Sequence, residues 1–250
     1  MTGKLSNKVA VIIGGSNGIG LATAKLFVQE GATVAVTGRG QKALDAAVKT
    51  LGPNAIGIQG DVADINDLDR LYGTVAQKWG KIDILIANAA VYVVGPLAAF
   101  TEEMFDKVSD VNIKGSFFAV QKALPYLNDG ASIVLTSSTV ADKGVPNHSA
   151  YAASKAAVRS LARSFSAELL DRKIRVNVLS PGPVDTGIFE TITATKDEAA
   201  AVKNAMAQFT PAKRVATVEE IAAANLYLAS PESAFMVGAD LLVDGGIRSL

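Results

Sequence analysis

Tyr151 and Lys155 are four positions apart, and Ser138 precedes them at the end of an apolar run. Side chains four residues apart lie on one face of a helix. A neighbouring ammonium favours the charged form of a phenol, so we expect Lys155 to lower the pKa of Tyr151. Such a phenol can donate or accept a proton near neutral pH. Because the same spacing also occurs on ordinary helix surfaces, the rest of the chain must decide between acid–base catalysis and a surface pair.

The composition excludes several classes of site. The 250 residues include 24 Lys and Arg and 24 Asp and Glu, a balance that gives no electrostatic support to binding of nucleic acid or a membrane surface. Cysteine is absent and there is one histidine, so we expect no disulfide framework, no thiol nucleophile and no metal site. The N-terminus lacks an apolar signal region, and no apolar stretch approaches a membrane span, which predicts a cytoplasmic protein.

Short β-branched runs alternate with longer helical patterns, of which one begins near Gly18 and another follows Tyr151. This alternation predicts an α/β fold with a parallel sheet of about seven strands and helices on both faces, in one domain over 1–250. The weakly patterned segment 186–212 is expected to be irregular and could cover a site. The predicted strands are Val9–Ile13, Thr33–Thr37, Ala55–Gln59, Ile82–Ile86, Ser132–Thr136, Ile174–Leu179 and Leu241–Val243.

The first predicted strand runs directly into a glycine loop, Gly14-Gly15-Ser16-Asn17-Gly18-Ile19-Gly20, which opens a helix. Glycine lets the backbone turn sharply and approach a ligand, and the helix N-terminus offers free N–H groups. The loop therefore predicts a cradle for the pyrophosphate of a dinucleotide. An ordinary glycine-rich turn is the alternative.

The second predicted strand ends at Gly38 and Arg39. An acidic residue at this point would bind the ribose 2′-hydroxyl of NAD. Gly38 instead leaves room, and the Arg39 guanidinium can pair with a 2′-phosphate. We therefore expect NADP(H) as the cofactor, with a solvated surface charge as the alternative for Arg39.

Further polar residues and turns follow other predicted strands. Asp61, before Val62, could accept a hydrogen bond from an adenine amino group, whereas Asn88 could approach the cofactor or tie strands together. Asn112 lies inside a helical pattern and needs hydrogen-bond partners if buried, which favours a structural role. Since the carboxyl ends of parallel strands share one sheet edge, we expect these groups to meet there. The groups that follow strands are the glycine loop, Arg39, Asp61, Asn88, Ser138 and Pro181-Gly182.

Together, these motifs resemble the short-chain dehydrogenase/reductase family over essentially the whole chain. The resemblance implies a Rossmann-type doubly wound sheet and a homotetramer whose interfaces involve the helix bearing Tyr151 and the last strand. It implies that Asn112, Ser138, Tyr151 and Lys155 are catalytic, with Asn112 positioning a water that relays protons. The cofactor-binding residues implied by the motifs and the resemblance are Gly14, Ser16, Asn17, Gly18, Ile19, Gly20, Arg39, Asp61, Val62, Asn88, Tyr151, Lys155, Pro181, Gly182, Val184 and Thr186.

Two positions depart from the family pattern. Ile13 stands before the glycine loop where the family usually has Thr, and Ala87-Asn88-Ala89-Ala90 replaces Asn-Asn-Ala-Gly. The lost residues mainly support the loops, so we expect altered loop hydrogen bonding rather than lost activity. The usual family ending is present as Asp244-Gly245-Gly246.

The resemblance implies an NADP(H)-dependent oxidoreductase that interconverts a carbonyl and a secondary alcohol. The pocket walls are expected from 92–96, 140–148 and 186–212, whose apolar residues, Phe189 and Met206 among them, favour a hydrophobic small-molecule substrate. His148 is expected to be an exposed loop histidine, with substrate contact as the alternative.

Three other functions stay open. A reductase of 3-oxoacyl thioesters on acyl carrier protein would need basic residues outside the pocket. An NADP-binding regulatory protein without turnover would not need the intact catalytic set, and a dehalogenating relative would not need the glycine loop. The basic candidates for the first function are Arg159, Arg163, Arg172 and Lys173.

Overall fold

The computed structural model describes residues 3–250. The strands are β1 (Val9–Ile13), β2 (Thr33–Gly38), β3 (Ala55–Gln59), β4 (Ile82–Ala87), β5 (Leu127–Thr136), β6 (Arg175–Pro181) and β7 (Asp240–Val243). They form one sheet in the order β3-β2-β1-β4-β5-β6-β7, and every neighbouring pair is parallel.

The helices connect these strands. They are α1 (Gly18–Gln29), α2 (Gln41–Leu51), α3 (Ile65–Trp79), α4 (Glu102–Val108), α5 (Gly115–Ala123), α6 (Ser149–Leu169), α7 (Ile188–Ile192), α8 (Lys196–Phe209) and α9 (Val218–Ala229). A π-helical turn, Ser109–Lys114, joins α4 to α5, and a short 3-10 helix, Thr139–Asp142, precedes α6. Within residues 3–250, no helix combines the length and the apolar character needed to cross a bilayer.

The prediction of a doubly wound parallel sheet with helices on both faces is confirmed. Alternate residues of β1 face opposite sides of the sheet. Val9, Val11 and Ile13 pack in the core beneath α3, α5 and α6. Ala10 and Ile12 pack in the core beneath α1, α2 and α9. Because helices cover both faces, the central strands are apolar at nearly every position instead of at every second one.

All seven predicted strands are present, but β5 is longer than predicted. It begins at Leu127 rather than at Ser132. The added segment includes polar and glycine residues at 128–130, which favour turns when only the local sequence is considered. Its pairing with β4 contains a shift in register. Pairing with a neighbouring strand therefore extends β5 beyond what local preference predicts.

The strand order reverses at β1, with β2 and β3 on one side and β4 to β7 on the other. Ligands of open parallel sheets bind at the carboxyl ends of the strands beside such a reversal. The last residue of β1, Ile13, pairs with Thr37 of β2 and Ala87 of β4. This register places the glycine loop, the end of β2 and the segment after β4 side by side.

The segment 186–212 contains α7 and α8, whereas an irregular segment was expected. A capping box between Thr195 and Glu198 begins α8. An ion pair of 2.5 Å between Lys203 and Asp185 links α8 to the turn after β6. Capping and ion pairing define this helix more than an apolar stripe does, which is why hydrophobic periodicity did not predict it.

We predict that Gly20→Ala destabilises the protein and that Gly73→Ala stabilises it. A Cβ at Gly20 would lie 2.0 Å from the Gly14 carbonyl oxygen, a backbone atom with little freedom to move. A Cβ at Gly73, in α3, would meet no atom within 4 Å. In urea unfolding we expect a loss of about 1–3 kcal/mol at Gly20 and a gain of about 0.5–1 kcal/mol at Gly73. Equal stability of the two variants would contradict the close packing of α1 on the glycine loop.

Candidate active site

Backbone hydrogen bonds and Asn88 hold the glycine loop. The N–H groups of Gly14 and Gly15 donate to the Thr37 carbonyl at 3.1 and 3.0 Å. Asn88 Nδ2 donates to the Gly14 carbonyl at 3.1 Å. Gly14 has a φ of +77°, and a Cβ there would lie 2.9 Å from the Ala89 backbone. The loop thus passes too close to the segment after β4 for a side chain, and Asn88 ties the two together.

Seven of the predicted cofactor-binding residues line one groove of about 230 Å³ at the carboxyl edge of the sheet. Asn17 is the N-cap of α1 but makes no side-chain capping bond, so its amide is available to a ligand. Arg39 is exposed, and among residues 3–250 its guanidinium has no hydrogen-bond or ion-pair partner. Asp61 Oδ1 accepts the Ala63 N–H at 3.0 Å, which orients this carboxylate. The seven are Gly14, Ser16, Asn17, Arg39, Asp61, Val62 and Asn88.

The turn after β6 meets the glycine loop from another direction. Pro181 is the last residue of β6, and a Cβ at Gly182 would lie 2.8 Å from Asp244 Cα. The Asp244 carboxylate accepts the N–H groups of Gly246 and Arg248 at 2.9 and 2.8 Å, so the C-terminal residues support this turn. A Cβ at Gly18 would lie 3.3 Å from Thr186 Cβ. The predicted pyrophosphate and nicotinamide segments are therefore neighbours.

The sequence predicts Ile19 and Val184 as cofactor contacts. In the structure, both side chains also pack in the core. Ile19 packs against the core beneath α1, α2 and α9. Val184 is buried in the same core and forms an isolated β-bridge with Ala216. Any contact of buried Val184 with a ligand would therefore use mainly backbone atoms.

The departures from the family pattern fall in the core and at the groove. Ile13 is 2% exposed and packs beneath α3, α5 and α6, while its carbonyl accepts the Asn88 N–H at 3.1 Å. Ala87 is also buried, and Ala90 lines the groove. At these positions, backbone groups and the Asn88 amide make the loop hydrogen bonds, because an isoleucine and two alanines carry no side-chain donors.

Ser138 and Tyr151 come from different elements and meet in the structure. Ser138 is the N-cap of the 3-10 helix Thr139–Asp142, and its Oγ accepts the Val140 N–H at 3.4 Å. Tyr151 is partly buried in the first turn of α6. The Ser138 side chain lies near enough to the Tyr151 hydroxyl to oppose the rise of its pKa. The structure thus brings together two hydroxyl groups that could act on one substrate oxygen.

Lys155 lies beneath Tyr151 and is only 3% exposed. Its Nζ donates to the Thr136 carbonyl at 2.9 Å and lies 5.8 Å from the centre of the Tyr151 ring. Burial lowers the pKa of Lys155 to about 8, because the ammonium loses hydration. Burial also raises the pKa of Tyr151, with Tyr92 adding to the rise and the Ser138 hydrogen bond opposing it. The prediction of a lowered pKa for Tyr151 is therefore wrong, since desolvation outweighs attraction at this separation.

Asn112 lies in the π-helical turn and is 1% exposed. Its Oδ1 accepts the Val91 N–H at 2.8 Å, and its Nδ2 donates to the Val91 carbonyl at 3.1 Å and to Ser154 Oγ at 3.0 Å. Ser154 Oγ donates to the Tyr151 carbonyl at 2.7 Å. The Asn112 amide thus links the segment after β4 to α6, which agrees with the structural interpretation. The water relay stays a prediction.

The two loops expected to form pocket walls contact each other. The Gly95 N–H donates to the Asn147 carbonyl at 2.9 Å. The Tyr92 hydroxyl lies 2.7 Å from His148 Nε2. The Tyr92 ring stands nearly perpendicular to that of Tyr151, with ring centres 4.9 Å apart. His148 lies in a loop as expected, but it is partly buried and pairs with Tyr92 instead of standing free in solvent.

The segment 186–212 is the third expected pocket wall, and it contributes to a small apolar cluster separate from the main core. Phe189 is buried and packs with Ala199 and Val215 in a small cluster. Met206, by contrast, is 37% exposed. Phe189 therefore holds α7 and α8 together and does not face an open pocket, because those helices need a core of their own.

The groove suits a dinucleotide. The N–H groups and the positive dipole end of α1 face the glycine loop, where phosphates would bind. The collisions that a Cβ would cause at Gly14 and Gly20 indicate a backbone path built for close approach. The part of the chain that the structure describes contains no group of three or more histidine, aspartate and glutamate side chains placed to hold a metal ion. Three lining residues that the sequence did not single out are Thr37, Gly60 and Val111, all of common core or turn types.

Known proteins match this chain along nearly its whole length. A sequence model of the family described as Enoyl-(Acyl carrier protein) reductase matches residues 14–248. Oxidoreductase asL5 of Sarocladium schorii is 43% identical over 99% of this chain and 98% of that protein. The 3-oxoacyl-acyl-carrier-protein reductase FabG of Thermotoga maritima is 36% identical over 98% of this chain and 99% of that protein. The solved short-chain dehydrogenase/reductase of Serratia marcescens BCRC 10948 has a TM-score of 0.91 at 33% identity, covering 98% of this chain and 100% of that one.

We predict that Lys155→Met removes a pH-dependent part of the stability. The pKa of Lys155 falls from its ordinary 10.5 to about 8 on folding, so between these values the unfolded chain binds more protons and stability rises with pH. From pH 8 to 9.5, urea unfolding should show wild type gaining about 1.5 kcal/mol more than Lys155→Met. Lys173→Met, at an exposed lysine, is the control and should follow wild type. Parallel curves for wild type and Lys155→Met would contradict the desolvation of Lys155.

Proposed function

Because this chain belongs to the short-chain dehydrogenase/reductase family, we propose that it is an NADP(H)-dependent oxidoreductase that interconverts a ketone and a secondary alcohol. The observation that carries this proposal is the proximity of the Ser138 and Tyr151 side chains beside buried Lys155. This group lies at the same sheet edge as the groove that suits a dinucleotide. Asn112 completes the proposed catalytic set through its hydrogen bond to Ser154.

In the reductive direction, Tyr151 donates its proton to the oxygen of the substrate carbonyl. Its raised pKa keeps the phenol protonated until negative charge develops on that oxygen. The Ser138 hydroxyl can donate a hydrogen bond to the same oxygen and so stabilise the charge. When bound, NADPH supplies the hydride that reduces the carbonyl carbon.

Lys155 stabilises the phenolate that proton transfer leaves on Tyr151. Its Nζ lies 5.8 Å from the centre of the Tyr151 ring in a buried site, where the attraction between opposite charges exceeds that in water. With a pKa of about 8, the lysine is charged at neutral pH but loses its proton more readily than a solvated lysine. In the oxidative direction the same groups act in reverse, with Tyr151 accepting the proton of the alcohol.

The cofactor would lie along the groove. The glycine loop would hold the pyrophosphate, Asp61 and Val62 would border the adenine, and the turn from Pro181 to Thr186 would contact the nicotinamide end. Arg39 would pair with the 2′-phosphate of NADP(H). In support, Arg39 is exposed at the groove and its guanidinium has no partner among residues 3–250, and the Gly38 position before it carries no carboxylate to repel a phosphate.

We propose a substrate with hydrophobic substituents. The segment after β4 supports this choice, because Val91, Tyr92, Val93 and Val94 are all only partly buried at the edge of the site. Val145 in the facing loop is also partly buried. Accessible apolar side chains of this kind favour apolar groups on the ligand over a sugar.

A reductase of 3-oxoacyl thioesters on acyl carrier protein is the second candidate. The description of the matching family and the name of the Thermotoga maritima relative favour it. Of the basic residues weighed for the thioester arm, Arg163 is exposed. The other three do not favour this function, because Arg159 is paired with Asp240 and Arg172 with Asp129. Lys173 precedes β6 and so lies at the opposite edge of the sheet. Acetoacetyl acyl carrier protein tested beside free aryl ketones would separate the two candidates by kcat/KM.

We further propose that the protein is a cytoplasmic homotetramer in which 1–250 acts as one catalytic domain and 186–212 covers the substrate. The position of β7 at the edge of the sheet supports assembly, because such an edge has unpaired backbone groups. Exposed apolar side chains at Phe235 and Val237, just before β7, add to this support. Sedimentation analysis would test the tetramer.

We predict that Tyr151→Phe lowers kcat for ketone reduction by about 10²- to 10⁴-fold, because the proton donor is lost. NADPH should still bind, since the groove residues are unchanged, and its binding can be followed by fluorescence titration. Tyr227→Phe removes a phenol from α9 and is the matched control, with activity expected near wild type. A Tyr151→Phe enzyme that works at nearly the wild-type rate would disprove the assignment of the proton donor.

We predict that Arg39→Asp lowers the ratio of kcat/KM for NADPH to that for NADH by about 10- to 100-fold, because a charge-assisted contact becomes a repulsion. Lys42→Asp makes the same change of charge at an exposed lysine in the first turn of α2 and is the control. The ratio of kcat/KM for NADPH to that for NADH should change much less in Lys42→Asp. Equal use of NADPH and NADH by the wild-type protein would count against the proposed cofactor.

A further inference from the structure

Tyr92 and His148 form a hydrogen-bonded chain that ends at a backbone carbonyl. His148 Nδ1 lies 2.7 Å from the Pro146 carbonyl oxygen, and Nε2 lies 2.7 Å from the Tyr92 hydroxyl. A carbonyl oxygen can only accept, so Nδ1 carries the proton of the neutral imidazole. Nε2 is then an acceptor, and Tyr92 must be the donor. The backbone at Pro146 therefore determines the direction of both hydrogen bonds.

This direction leaves the Tyr92 oxygen as an acceptor. A phenol has one proton, and Tyr92 uses it on His148. Burial raises the pKa of Tyr92, which keeps that proton on the phenol. Within residues 3–250, no other group hydrogen-bonds the Tyr92 oxygen. A partly buried acceptor without a donor gains from a ligand that supplies one.

The ring of Tyr92 packs against the ring of the proposed proton donor, Tyr151. The rings of Tyr92 and Tyr151 stand at 82° with their centres 4.9 Å apart. Tyr92 also contributes to the raised pKa of Tyr151, after the larger effect of burial. A small substrate whose carbonyl oxygen reaches Tyr151 would therefore place a nearby substituent against Tyr92.

We propose that Tyr92 determines specificity by accepting a hydrogen bond from a hydroxyl group of the substrate, and that His148 is the positioning residue that makes Tyr92 an acceptor. The substrates favoured are hydroxy ketones, in which one group is reduced and another is recognised. This inference rests on the proposed function for the position of the carbonyl. It adds a hydrogen-bond acceptor for the substrate to a pocket wall that is otherwise apolar.

The test compares matched aryl ketones that differ in hydrogen-bonding ability. The 3- and 4-hydroxyacetophenones can donate to Tyr92, whereas the 3- and 4-methoxyacetophenones can only accept. The measured quantity is the ratio of kcat/KM for the hydroxy ketone to that for its methoxy partner. Comparing this ratio between variants cancels the intrinsic reactivities of the two ketones.

Three variants distinguish the roles of the two residues. Tyr92→Phe should lower the ratio about 5- to 10-fold, mainly through KM, because one neutral hydrogen bond is lost. His148→Leu removes the acceptor for the Tyr92 proton, so Tyr92 becomes a donor and the ratio should fall below that of Tyr92→Phe. His148→Gln supplies an amide oxygen that can accept the same proton, and it should keep most of the wild-type ratio.

The outcomes separate this inference from the proposed function. If the ratio of kcat/KM for the hydroxy ketone to that for the methoxy ketone is the same in the wild type and all three variants, the role of Tyr92 and His148 is overturned. A wild-type ratio in His148→Leu also overturns it. Failure of the wild-type protein to reduce any of the ketones counts against the proposed function. In that case the ratio of dissociation constants for 3-hydroxy- and 3-methoxyacetophenone, measured by calorimetry, decides the inference. A hydroxy preference that falls in Tyr92→Phe supports it, and equal ratios overturn it.

Discussion

The buried ammonium of Lys155 is the interaction on which the site depends. An ammonium removed from water is costly unless polar groups surround it, and here the Thr136 carbonyl and the face of Tyr151 do so. Both partners are placed by long-range structure, because Thr136 ends β5 and Tyr151 lies one turn earlier in α6. Ser137 adds a hydrogen bond of 2.8 Å to the Lys155 carbonyl, which fixes α6 against the end of β5. The sheet thus supplies the hydrogen-bond acceptor that the buried Lys155 ammonium needs and that the helix alone would not provide.

A second set of bonds connects this charge to the groove. The Asn112 amide joins the backbone of Val91, which lines the groove, to Ser154 in the turn of α6 between Tyr151 and Lys155. The Asn112 side chain makes three hydrogen bonds, which use both N–H donors and one lone pair of its oxygen. Buried polar networks of this kind are rigid when every member is satisfied. The acid–base group and the proposed cofactor path are therefore held in one geometry by the Asn112 side chain.

The features that the sequence predicted well are those with a local signal. The alternation of β-branched runs and helical patterns predicted all seven strands, and the glycine loop lies at the start of α1. The features that it missed or predicted wrongly depend on the tertiary surroundings of a residue. The pKa of Tyr151 rises because burial outweighs the charge of Lys155. His148 is paired because the fold brings its loop against the loop that carries Tyr92. The helices of 186–212 escaped prediction because capping and an ion pair define α8.

The sequence by itself determined the fold class, the position of the groups along strand ends and the one-turn spacing of Tyr151 and Lys155, because these follow from hydrophobic periodicity and helix geometry. Only the tertiary structure decided which groups touch, how far each is desolvated and which atom donates in each hydrogen bond. Those properties depend on residues distant in sequence, such as Thr136 for Lys155 and Val91 for Asn112. A pKa or a donor direction reflects its whole three-dimensional surroundings, and no local pattern contains that information.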